Sequence, residues 1–113
     1  MAWFAQKVEA DGYTFDSKRE YQRYRELKLM QAAGEIACLE VHPRFELANA
    51  VVVDGRKKRA LRYTADFQYI VREPDYSRHV IEDVKSPRFR TAAYRMRKHL
   101  MKAVLGLDIT EVE

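Results

Sequence analysis

The chain has 113 residues, 47% of them hydrophobic and 34% charged, and its 21 Lys+Arg outnumber 17 Asp+Glu for a formal net charge of +4. That balance suits one folded domain over residues 1–113 and excludes a disordered chain. The single cysteine, Cys38, excludes an intramolecular disulfide framework and a cysteine-built zinc site. No apolar run approaches the ~20 residues of a membrane helix, and Met1–Lys7 is too poor in apolar residues for a secretory signal. The expectation is a soluble, cytoplasmic protein with no membrane partner.

In chain order, Asp11-Gly12 is a turn dipeptide between two short extended runs, which predicts a small hairpin or an extended arm at the start. Ser17 with Glu20 three residues on matches a capping box and opens a helix over 18–33, stopped at Gly34. Tyr24, Leu27 and Gln31 share one face of it, with Tyr21 and Met30 at the margins. A strand follows over 36–41. Pro43 interrupts it, and a second strand is expected over 44–53, ending at the hairpin signal Asp54-Gly55. A long strand over 60–71, a turn at Pro74-Asp75 and a strand over 78–85 come next. The second helix covers 91–105, with Ala93, Met96, Leu100, Val104 and Leu107 as its expected core stripe. Gly106 stops it, and 108–112 forms a last strand. The predicted fold is α/β, a helix, three or four strands mainly in hairpins, a helix and a last strand, compatible with a core order αβββαβ, with a mixed sheet flanked by two helices.

Charge is segregated along this order. Between Lys85 and Leu107 there are seven Lys/Arg and no acidic residue, and Arg56, Lys57, Lys58, Arg59 and Arg62 form a second cluster. Such segregation is what a polyanion-binding surface needs, the alternative being a solvated basic face with no partner. Arg95, Lys98 and Lys102 lie off the expected core stripe, where they can meet DNA phosphates. Tyr94 either stacks on a base or sugar or packs the helix.

The Pro74-Asp75 turn permits a register test. If it is a two-residue hairpin, residues whose numbers sum to 149 face one another, and Asp66 and Asp83 do so. Their side chains then share a face, and Lys85, two residues beyond Asp83, projects from the same face. Opposed like charges are destabilising unless something positive lies between them. A divalent cation with the Lys85 ammonium supplies that charge; ordinary ion pairs of Asp83 with Lys85 or Arg62 are the structural alternative. Glu82 points the other way and is expected to pair with a basic residue. His42, His79 and His99 are scattered without metal-ligand spacing and read as surface or satisfied core residues.

Asp66 followed by Asp83-x-Lys85, on two strands between two helices, resembles the PD-(D/E)XK nuclease superfamily, which includes restriction enzymes and Holliday-junction resolvases. Within it the chain is most similar to small phage and prophage endonuclease-like proteins carried as a domain of unknown function. The likeness takes in Phe15-Asp16-Ser17-Lys18-Arg19-Glu20, Gly34-Glu35-Ile36, Tyr63-Thr64-Ala65-Asp66-Phe67, Ile81-Glu82-Asp83-Val84-Lys85 and the stretch from Gly106 to Val112. The proline that gives the motif its name is absent, with Ala65 before Asp66.

The resemblance implies metal-dependent hydrolysis of phosphodiester bonds. Asp66 and Asp83 would bind Mg²⁺ or Mn²⁺, with the Val84 carbonyl and Glu20 as further ligands, and Lys85 would position or deprotonate the attacking water. Arg88 joins Tyr94, Arg95, Lys98 and Lys102 as expected DNA contacts. The expected activity is a DNA endonuclease, selective for branched or junction DNA, acting as a homodimer in phage recombination, replication or packaging. A catalytically silent DNA-binding module and an RNA-directed nuclease are the alternatives.

Overall fold

A computed structural model of the protein describes residues 6–86 and 90–113. Two short strands, β1 (Val8–Ala10) and β2 (Tyr13–Phe15), lead into helix α1 (Lys18–Ala32) and strand β3 (Ile36–Val41). Then come β4 (Arg44–Ala48), β5 (Val51–Val53), β6 (Arg56–Lys58), β7 (Leu61–Thr64), β8 (Phe67–Arg72) and β9 (Ser77–Val84). Helix α2 (Ala92–Leu100), a π-helical turn (Met101–Leu105) and strand β10 (Thr110–Val112) complete the chain. The molecule is a mixed α/β fold.

The central sheet has four strands in the order β10-β9-β8-β3, antiparallel except for the parallel pair β10–β9. Both Asp-Gly hairpins form as expected. Val8 pairs with Phe15 around Asp11-Gly12, and Val51 pairs with Lys58 around Asp54-Gly55. Asp11 and Asp54 have φ of 52° and 51°, the left-handed conformation that two-residue hairpin turns require. Ser17 caps α1, its Oγ accepting from the Glu20 N–H at 3.1 Å.

Alternation along β9 divides the interior into two layers. Val80 points to one face with Phe67 and Tyr69, where Tyr24 and Leu27 of α1 cover it. Ile81 points to the other with Ala65 and Tyr63, beneath Tyr94, Met101 and Ile109. The two helices thus cover opposite faces of one sheet.

Four expectations need correction. The strand expected over 44–53 divides into β4 and β5, because Asn49 and Ala50 interrupt its pairing and β5 pairs only with β6. The strand expected over 60–71 divides into β7 and β8, because its partners change between them: β7 pairs with β4, and β8 with β3 and β9. On α2 and the π-helical turn, Ala93, Met96 and Val104 are exposed, Leu100 and Leu107 pack against the core as expected, and the buried residues are Tyr94 and Met101. Tyr94 and Met101 lie seven residues apart, two helical turns, so the buried flank sits one position beyond the expected stripe at Ala93 and Leu100. On α1, Tyr24 and Leu27 are buried as expected, whereas Gln31 is exposed and its side-chain oxygen accepts from the Leu39 N–H. Among the described residues no helix is long and apolar enough to cross a membrane.

Candidate active site

The break between β7 and β8 positions the first carboxylate. At Asp66 the main chain leaves one ladder for another: its C=O accepts from the His42 N–H at 2.9 Å and its N–H donates to the Glu82 C=O at 3.1 Å. The β8–β9 register runs from Arg72↔Ser77 to Phe67↔Glu82, each pair summing to 149. The turn is therefore the two-residue hairpin that the arithmetic requires, and one further step along it brings Asp66 level with Asp83. The Asp66 side chain also enters the ladder, its Oδ2 accepting from the Val84 N–H at 2.6 Å.

Glu20, Asp66, Asp83, Val84 and Lys85 line one cleft of ≈ 780 Å³, with Arg19, Thr91 and Glu113 among its other walls. Asp83 is 4% exposed, and its Oδ2 accepts a hydrogen bond from the Tyr63 hydroxyl. Lys85 Nζ lies 3.8 Å from that oxygen and 4.8 Å from the centre of the Tyr94 ring. Glu20, at 4% exposed, reaches the cleft from the first turn of α1. Its Oε2 accepts from the Asp16 N–H at 3.2 Å, and its Oε1 is 2.8 Å from His42 Nε2. One ligand atom each from Glu20, His42 and Asp66 lies within 4.8 Å of the others.

Burial pushes the Asp66 carboxyl up to about 9, and the neighbouring Asp83 and Glu20 carboxyls add to the rise against the lowering effect of the Val84 N–H. Two acids crowded into a partly dry cleft hold a proton more tightly because both cannot ionise without a compensating charge. Burial and the Asp83 charge raise the Tyr63 phenol, so it stays protonated and donates. A set of buried carboxylate oxygens with one ammonium beside them matches the hard-oxygen preference of Mg²⁺ and Mn²⁺. The His42 ring suits an outer-shell role, orienting the Glu20 carboxylate.

Asp66, Asp83, Val84, Lys85 and Glu20 thus meet in one place. Among the expected DNA contacts, Tyr94 is 6% exposed and packs the core, so its ring offers no free face for stacking. Arg95 is exposed; Lys98 and Lys102 are ion-paired with Glu111 at 3.5 Å and Asp108 at 2.9 Å. Arg88 lies outside the described residues. Glu82 points away from the cleft and pairs with a basic residue as expected, here Arg23, whose Nε and terminal nitrogen donate to its two oxygens at 2.8 and 2.7 Å. Sequence reasoning missed Tyr63, His42 and Arg23 at and behind the site. Tyr63 lies three residues before Asp66 across a strand break and His42 beside an interrupting proline, so neither carries a local signal. Arg23 follows Glu20 by three residues on α1, which was a usable hint.

The chain belongs to a family of proteins of unknown function, DUF1064, whose model matches residues 2–108. It matches no curated protein and no solved structure.

Proposed function

We propose that the protein is a divalent-metal-dependent DNA endonuclease of the PD-(D/E)XK type. The observation that carries this reading is the meeting of Asp66, Asp83 and Lys85 in one cleft with Glu20. The chain order α1, β3, β8, β9, α2, β10 around one mixed sheet also accords with the restriction-endonuclease-like core that the resemblance implies.

Asp66, Asp83 and Glu20 would hold Mg²⁺ or Mn²⁺, with the Val84 carbonyl as a further oxygen. When bound, the ion supplies Lewis-acid stabilisation of charge on the phosphate and acidifies a water. Tyr63 fixes the Asp83 carboxylate by donating to it. Lys85, held between Asp83 and the Tyr94 ring, orients or deprotonates the attacking water and offsets charge on the scissile phosphate. Arg95 and Lys98 on α2 and Lys102 on the π-helical turn present phosphate contacts, the two lysines exchanging a carboxylate for a phosphate. Branched or junction DNA is the proposed substrate, by analogy of fold, cut by a homodimer in phage recombination, replication or packaging.

Plasmid nicking with Mg²⁺ or Mn²⁺ tests the reading. Cleavage is expected with either ion and none in EDTA. Asp83→Asn and Lys85→Ala should each lower the rate by about 10²-fold or more while DNA binding persists. Binding without cleavage by the wild type would instead make the chain a silent DNA-binding module, and preferential cleavage of RNA would move the substrate class.

A further inference from the structure

The ribbon formed by β5 and β6 has no role in the cleft. Residues 48–59 are exposed throughout, and β5 and β6 form a two-stranded sheet of their own. A bare two-stranded ribbon is marginal in water and needs a reason to persist.

Its chemistry is polarised. Val51, Val52 and Val53 are 53%, 70% and 46% exposed, an unusual display for three consecutive valines. Opposite them the register sets Lys58, Lys57 and Arg56, and Arg59 follows. None of these four cations takes part in an ion pair among the described residues. Asp54, at the turn, is the one acid in the arm. The basic run on α2 differs, since Asp108 and Glu111 fold back upon it. The ribbon is thus the place where four consecutive cations remain unneutralised by the fold.

We infer that the β5–β6 ribbon is a DNA-binding arm that seats in the major groove of B-form duplex DNA beside the cleavage site. This rests on the nuclease reading only for the word cleavage. Charge complementarity selects a polyanion, because two copies of the arm meeting would bring eight cations together. The major groove of B-DNA, about 12 Å wide, admits a two-stranded ribbon, whereas the deep, narrow major groove of A-form RNA does not. Alternation puts Val51, Val53, Arg56 and Lys58 on one face and Val52 and Lys57 on the other. Either face therefore offers an apolar surface to thymine methyl groups and a long cation to the phosphates.

The test is fluorescence anisotropy of the full chain with a labelled DNA duplex of roughly two helical turns, in EDTA so that no strand is cut. Replacing Arg56, Lys57, Lys58 and Arg59 together by Ala should weaken binding at least about tenfold and reduce the slope of log affinity against log salt by about 2–4. A variant with Arg56 and Arg59 changed to Lys should keep the slope, and unchanged circular dichroism of both variants verifies the fold. Wild-type protein should bind the DNA duplex more tightly than an RNA duplex of the same sequence. An unchanged slope in the Ala variant, equal affinity for the RNA duplex, or a shift of the Ala variant from dimer to monomer without loss of DNA affinity would each overturn the inference. Because binding is measured in EDTA, loss of binding in the Ala variant together with no plasmid cleavage by the wild type in Mg²⁺ or Mn²⁺ would refute the nuclease reading and leave the arm standing.

Discussion

Asp66 sits where backbone and side chain both change partners, and its chemistry follows from that position. With its carboxyl raised to about 9, well above the ordinary value of 3.8, the folded metal-free protein favours the protonated acid. Its contribution to stability is therefore complete below about pH 4 and is lost as pH rises towards 9. In EDTA, the melting temperature should fall across that window, and Asp66→Asn should flatten the fall. Mg²⁺ or Mn²⁺ should restore the loss at high pH, since an ion that binds only the folded state stabilises it by mass action. Thermal denaturation at a series of pH values, with and without metal, measures all three. Glu20 carries two duties, accepting from the Asp16 N–H and facing His42. Glutamine keeps an acceptor for the first duty and a polar group for the second, but its amide is a poor ligand for Mg²⁺. Glu20→Gln should melt close to the wild type and cut DNA at least about tenfold more slowly, roughly 1.4 kcal/mol of transition-state stabilisation. A variant that melts early yet keeps its rate per folded molecule would reduce Glu20 to a helix cap.

At the scale of elements, α1 is pinned to β9 behind the site. Arg23 grips Glu82 with two hydrogen bonds, and the Tyr69 hydroxyl donates to the same carboxylate. Glu82 is 1% exposed, so an unpaired charge there would be severely destabilising. Arg23→Ala should lower unfolding stability by about 3–5 kcal/mol, measured by urea denaturation. Replacing the whole group, Arg23→Met and Glu82→Leu with Tyr69→Phe, should recover most of that loss, because no buried polar group is then left without a partner. Failure to recover it would mean that Arg23 acts through its contact with Glu26 instead, 3.0 Å away on the same helix. The element also has a functional consequence. Glu20 and Arg23 leave the same flank of α1, so the ion pair that docks the helix also sets the depth at which Glu20 enters the cleft.

Across the whole molecule, the fold redistributes a charge pattern that looks simple along the chain. The seven cations between Lys85 and Leu107 read as one basic surface, but the C-terminal strand returns Glu111 to Arg90 and Lys98, and Asp108 to Lys102. The cations of the second helix are thus partly neutralised by the C-terminal segment.

Much of the site was legible before any coordinates. The Asp-Gly turns, the capping residues of α1 and the register across Pro74-Asp75 are local, and the register alone brings Asp66 level with Asp83. Hairpin geometry depends on a few adjacent residues, so arithmetic on their numbers suffices. Other features belong to the tertiary structure alone. Arg23 meets Glu82 across 59 positions of sequence, and His42 meets Glu20 across 22. The buried flank of the second helix is set by its packing on Tyr63, Ala65 and Ile81, and the breaks in the two long strands turn on a change of partners. Each of these is decided by which elements pack together, and distant contacts leave no periodicity or spacing in the sequence by which they could be read.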